Sequence, residues 1–201
     1  MDRRKLGLLG FAAIALAAIS LAYLQFTNVT YWSVNATLPP AMKLAGADTG
    51  ITGRNDGSGY NNYIYVTYYY DPTTGLNITR ISIVGFTGDV TNYTNALQVC
   101  NLYYNGPLTV SITYKGSVGG AAPKDVDQFV VYNYNNPQQW VGFNYKRSTN
   151  PGPVTLGTIQ QNQCIQLGVS VLVNATDYNP TLFNGQNVLA TYEVDIMFST
   201  T

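Results

Sequence analysis

Apolar and polar side chains alternate with period two along several segments of this chain, and that pattern predicts β-strands. In the clearest segment, Leu108, Val110, Ile112 and Tyr114 fall on one face, with threonine and serine on the other. The segments with strand character are 61–70, 78–84, 96–104, 106–115, 127–134, 139–146, 164–174 and 187–200. Short strands between Gly, Pro and Asn turns predict an all-β fold, a jelly-roll-like β-sandwich over residues 41–201.

An uncharged apolar run follows a basic start at the N-terminus. Basic residues 3–5 precede the run 6–24, and Ser20-Leu21-Ala22 has the small-x-small form of a signal-peptidase site. We predict that residues 1–22 are a secretion signal and that the mature chain starts at Tyr23. The alternative is an uncleaved anchor, because about 20 apolar residues span a bilayer.

The stretch TNVTYWSVNATLPP, residues 27–40, is predicted to form a strand isolated from the others. Its even-numbered face is mainly apolar and its odd-numbered face mainly polar, and Pro39-Pro40 ends it. Such a strand either folds back as an edge of its own domain or enters the sheet of another copy. In the second case residues 23–40 are a donor strand with its hinge, and repeated head-to-tail contact builds an open filament. The side chains that would plug the neighbour are Leu24, Phe26, Trp32, Val34 and Leu38.

The composition is poor in charge and rich in tyrosine. Of the 201 residues, 46% are apolar and 10% are charged, against about 25% charged in ordinary soluble domains. The net charge is zero without a basic cluster, so we expect no nucleic-acid partner. Histidine is absent, which removes the commonest general base and zinc ligand. We therefore expect no enzymatic activity, no metal and no cofactor.

Several acidic residues are candidates for metal binding or catalysis. The spacing of Asp48, Asp56 and Asp71 matches no ion-binding loop, although carboxylates are the ligands that calcium prefers. Asp125 and Asp127 form a pair that could serve acid–base catalysis. We interpret that pair as a solvated strand edge that discourages unwanted pairing.

Two cysteines and five N-x-[ST] sequons fit an exported chain. In such a chain Cys100 and Cys164 are expected to form a disulfide, worth about 4 kcal/mol on the chain-entropy model. Two buried free thiols are the alternative. The candidate N-glycosylation sites are Asn28, Asn35, Asn77, Asn92 and Asn174.

The leader RRKLGLLG, the junction AYLQFTNVTYWSVNATLPP and the sequon-rich β domain resemble one known group of proteins. These are the archaeal thread and bundling-pilus filament subunits, related to TasA-type biofilm matrix fibre proteins. The resemblance implies that the mature N-terminal strand, here Tyr23–Leu38, completes the jelly roll of the next subunit. Some members of the wider group are classed as metallopeptidases, but a chain without histidine does not support that activity.

The expected function is therefore a secreted structural subunit of an extracellular cell-surface filament, for surface adhesion, cell contact or biofilm. Its partners would be further copies of itself, N-linked glycans, and cell surfaces or neighbouring filaments. Two alternatives stay open. One is a type IV pilin-like subunit that keeps its N-terminal helix. The other is a membrane-anchored surface β domain that binds glycans. A group of tyrosines is a candidate platform for such binding, but we expect these residues to supply cross-strand aromatic pairs and subunit contacts instead. The group comprises Tyr63, Tyr65, Tyr68, Tyr69, Tyr70, Tyr103 and Tyr104.

The N-terminus of the native protein separates these alternatives. We expect mass spectrometry of the N-terminal peptide to give a start at Tyr23, because signal peptidase then removes the whole apolar run. A start near Leu6 would favour the pilin-like subunit. An intact Met1 or Asp2 would indicate a membrane-anchored domain.

Overall fold

The computed structural model describes residues 41–49, 64–71, 76–174 and 188–200, with the backbone alone at 68–71 and 76–78. The described residues form an all-β fold, as the alternation predicts, in open sheets arranged in a sandwich-like manner. Among them, no helix is long and apolar enough to cross a bilayer.

The largest sheet has six strands, and all its neighbouring strands are antiparallel. In spatial order its strands are β1 (Ala41–Ala45), β4 (Thr91–Asn101), β10 (Gln163–Val173), β6 (Val126–Asn133), β7 (Asn136–Phe143) and β8 (Thr149–Asn150).

A three-stranded sheet has the order β11 (Thr191–Thr200), β5 (Leu108–Gly119) and β9 (Val154–Ile159). A separate hairpin pairs β2 (Ile64–Asp71) with β3 (Leu76–Ile83). Both are antiparallel.

One apolar core is shared by the described strands. The predicted inward faces of β5 and β10 are confirmed, since their alternating Leu, Ile and Val side chains are buried. The largest apolar side chains that are less than 2% exposed are Ile64, Val99, Cys100, Leu108, Val110, Ile112, Val141 and Leu167.

A disulfide joins Cys100 of β4 to Cys164 of β10, the pair that the sequence suggests. The two residues are direct partners in the antiparallel ladder, with their Cα atoms 4.0 Å apart. The bond therefore cross-links two central strands of the large sheet and closes a loop with a sequence separation of 64 residues. Disulfides are typical of oxidising, extracellular environments.

The start of β6 differs from the sequence-based expectation. Asp125 lies in a short 3-10 helix, Pro123–Asp125, and is buried, with its carbonyl accepting the Asn174 N–H at 2.7 Å. The following strand, β6, lies between β10 and β7. The interpretation of Asp125 and Asp127 as a solvated strand edge is therefore wrong for Asp125, because this residue is buried, whereas Asp127 is half-buried.

An aromatic cluster fills one end of the core between the sheets. Tyr192 of β11 stacks on Phe129, with ring centroids 4.5 Å apart, and meets Phe143 edge-on at 5.5 Å and Tyr114 at 6.0 Å. Burial raises the pKa of Tyr192 well above its ordinary value, and the neighbouring Tyr114 adds to the shift. The Tyr192 hydroxyl is buried without a hydrogen-bond partner in the described structure.

We expect Tyr192→Phe to raise the free energy of unfolding by about 1 kcal/mol at pH 7, because a buried hydroxyl without a partner is costly. Above pH 10 the unfolded chain loses the phenol proton that the folded chain keeps, so wild-type stability falls as pH rises. The variant should lose less stability over that range in urea titrations. Tyr103→Phe, at a ring that is 52% exposed, should change stability by less than about 0.5 kcal/mol. A clear loss of stability in Tyr192→Phe at pH 7 would mean that the hydroxyl has a partner.

Candidate functional site

The ends of the two larger sheets are the candidate sites for adding a strand from another chain. The large sheet ends in β1 and β8, which are five and two residues long. Short edge strands, and charged side chains that point inward from them, discourage strand addition. Lys43 of β1 pairs with buried Val99 and is half-buried. Burial lowers the pKa of Lys43, and the negative charge of Asp195 partly opposes that shift.

The third edge, β9, is covered by side-chain amides. Asn133 Nδ2 donates to the Leu156 carbonyl at 3.1 Å, and Gln139 Nε2 donates to the Thr155 carbonyl at 2.8 Å. Asn133 Nδ2 also donates to Gln139 Oε1 at 2.7 Å, so the two amides support each other. Two carbonyls of β9 that an added strand would need are thus already used.

The fourth edge, β11, is long and has one neighbour, β5, among the described residues. Ile196 pairs with Ile112 and Phe198 pairs with Val110 on the same inward face. Ile112 and Val110 are fully buried, whereas Ile196 and Phe198 are half-buried. The apolar layer is therefore complete at β5 and incomplete at β11 within the described structure.

A second candidate site is an open groove of about 660 Å³ on the face of the large sheet that points away from the core. Its wall is aromatic, since Tyr132 and Trp140 are direct partners in the β6–β7 ladder. Tyr132 lies across Gly168, where a Cβ would overlap the ring. The lining residues are Asn92, Thr94, Gln128, Val130, Tyr132, Pro137, Trp140, Asn144, Tyr145 and Lys146.

Hydrogen bonds hold the floor and rim of this groove in place. Gln128, which is 7% exposed, donates from Nε2 to Ser170 Oγ at 2.6 Å. At the rim, Asn144 Oδ1 accepts the N–H groups of Lys146 at 3.0 Å and Ser148 at 3.1 Å. The Lys146 ammonium lies 5.7 Å from the centre of the Tyr145 ring. The rim is thus an ordered turn that presents an aromatic ring and a cation.

The predicted site residues fall in different parts of the chain. The donor-strand plugs Leu24, Phe26, Trp32, Val34 and Leu38, and the sequon residues Asn28 and Asn35, lie outside the described residues. Of the other sequons, Asn77 pairs with Tyr70 in the hairpin, Asn92 is exposed on β4, and Asn174 is half-buried after β10.

The groove aromatics are not among the tyrosines that the sequence suggests as a platform, although the sequence carries a signal for them. Of the suggested tyrosines, Tyr65 on the hairpin and Tyr103 after β4 are each 52% exposed. In β6, Val130 and Tyr132 alternate with buried Val131, so both faces of the strand carry large apolar side chains. A strand that is apolar on both faces indicates a second contact surface.

The acidic residues form no metal site in the described structure, where no three ligating side chains come together. Asp48 Oδ2 accepts the Asn95 N–H at 2.7 Å, in a turn whose Gly46 packs so closely on the Asn95 backbone that a Cβ would overlap it. This carboxylate supports the turn after β1.

The chain matches no known protein-family model, and no curated protein is similar to it. Its function is therefore inferred from the edges and surfaces described above.

We expect Asn133→Ala to lower the free energy of unfolding by about 2 kcal/mol, because the buried Leu156 carbonyl loses its donor. Urea titration measures the loss, and light scattering should show more self-association through the uncovered β9 edge. Asn135→Ala is the matched control: this exposed turn residue should change stability by less than about 0.5 kcal/mol. Equal effects from both variants would contradict the edge-covering role.

Proposed function

We propose that the chain is the structural subunit of an extracellular filament that grows head to tail by strand donation. In this proposal the N-terminal strand of one copy pairs with β11 of the next. The observation that carries it is the incomplete apolar layer, in which Ile196 and Phe198 stay half-buried beside fully buried partners on β5. The other three edges of the two larger sheets are short, charged or covered by amides.

The predicted donor strand suits this edge in length and pattern. The alternating segment 27–38 is about as long as β11, which has ten residues. Its plugs Trp32, Val34 and Leu38 share one face, so they would extend the layer formed by Ile196 and Phe198. Burying one large apolar side chain stabilises a contact by about 1.5–3 kcal/mol. Several plugs are therefore needed to offset the free-energy cost of association.

Other features suit a mechanical and non-enzymatic role. The disulfide ties β4 to β10 and so opposes separation of the central strands. Because the chain has few charged residues, electrostatic repulsion between stacked copies would be small. The proposed partners are therefore other copies of the same chain and attached N-glycans, with surface adhesion, cell contact or biofilm as the task.

We expect a mature chain that lacks residues 23–38 to remain monomeric where the chain starting at Tyr23 forms fibres in electron micrographs. A synthetic peptide of residues 23–38 should bind the truncated protein and raise its Tm, because it would complete the apolar layer. Fibres formed by the truncated protein would disprove strand donation.

Cysteine cross-linking tests whether β11 is the receiving edge. Met197 is 46% exposed on β11, so Met197→Cys combined with Tyr31→Cys, Ser33→Cys or Asn35→Cys should give a ladder of disulfide-linked oligomers in at least one register. The matched control uses Ser82→Cys, which is exposed on β3. A ladder through Ser82 and not through Met197 would assign strand addition to the hairpin.

A further inference from the structure

The groove on the outer face of the large sheet contains both ends of a glycosylation sequon. Asn92, Tyr93 and Thr94 form an N-x-T sequence on β4. Asn92 and Thr94 both line the groove, whereas Tyr93 points to the core and is 8% exposed. A sugar attached to Asn92 would therefore start inside the groove.

The groove carries the side chains that recognise a sugar. The apolar C–H face of a pyranose packs on aromatic rings, here Tyr132 and Trp140, while a sugar hydroxyl can accept a hydrogen bond from Asn144 Nδ2. Its volume of about 660 Å³ lies within the range of about 300–1,000 Å³ that is usual for ligand sites.

We propose that this groove is the seat of an N-linked glycan on Asn92 of the same chain, whose first sugars pack against Trp140 and Tyr132. The attachment explains how an open groove holds a sugar. A tethered ligand has an effective concentration in the millimolar range, so stacking too weak to capture a free saccharide is sufficient. The glycan would cover the rings of Tyr132 and Trp140.

A free oligosaccharide is the other carbohydrate source. The tether argument favours the attached glycan, because the groove is open rather than enclosed and Asn92 is one of its lining residues. The two sources are separated by the experiment below, and neither depends on strand donation at β11.

The test is a double-mutant cycle in the full-length chain. The four proteins are the parent, Asn92→Gln, Trp140→Leu and the double variant, each made in an N-glycosylating host and in a host without N-glycosylation. In the glycosylated set we expect each single change to lower the Tm by about 2–4 °C. The Tm of the double variant should be little lower than that of either single variant, because either change alone removes the sugar–ring contact. In the unglycosylated set the Asn92→Gln shift and the coupling should vanish.

Two controls keep the test decisive. Asn77→Gln removes a sequon in the β2–β3 hairpin and should show no coupling to Trp140. Tyr132→Leu, at the other ring that the sugar would contact, replaces Trp140→Leu if that variant fails to fold. Glycopeptide mass spectrometry must find Asn92 occupied, and an unmodified Asn92 would overturn the proposal.

Additive Tm shifts in the glycosylated set would also overturn it, since the glycan would then point into solvent. Micromolar binding of a free oligosaccharide by the unglycosylated protein, lost in Trp140→Leu, would make the groove a receptor for external sugar instead.

Discussion

A sandwich of open sheets must satisfy the hydrogen-bonding groups of its edge strands, and the described part of this chain does so with very few charges. Asn133 is central to this arrangement. Its amide reaches from β6 to the Leu156 carbonyl of β9 and to Gln139 of β7, while its own oxygen accepts the Asn135 N–H at 3.1 Å. One buried amide thereby joins three strands and a turn. Because β9 is covered in this way, β11 is left as the long edge of the three-stranded sheet.

Alternation of apolar and polar residues in the sequence predicts those strands that have one face towards the core and the other towards solvent. It locates β5, β10 and β11, where inward Leu, Ile, Val and Phe alternate with polar residues. It misses β9, since the register shifts beside Gly157, which has φ 137°, and buried Leu156 and Ile159 are three positions apart. It also misses β1, because Lys43 occupies the inward position. A period-two pattern does not reveal a bulge, which breaks the period, or a lysine that points inward.

The candidate sites were harder to predict than the strands for a related reason. The incomplete layer at β11 depends on which neighbouring strands bury its side chains. The sequence of β11 alone carries no information about those neighbours. The groove depends on register: Tyr132 and Trp140 are far from Asn92 in the sequence, and they share a surface because β10 aligns β4 with β6. The disulfide was predictable, since the chain has only two cysteines and one pairing.

The two proposed surfaces do not compete for space within the sandwich. The groove lies on the face of the six-stranded sheet that points away from the core, whereas β11 belongs to the three-stranded sheet, whose inward side chains meet the opposite face. A glycan on Asn92 can therefore cover apolar rings without blocking strand addition. This separation matters for the proposed filament, because half-buried aromatic rings at the surface of a charge-poor subunit favour lateral association. If the proposed glycan covers those rings, strand addition at β11 would be the preferred contact, and preference for one head-to-tail contact is what distinguishes a filament from an aggregate.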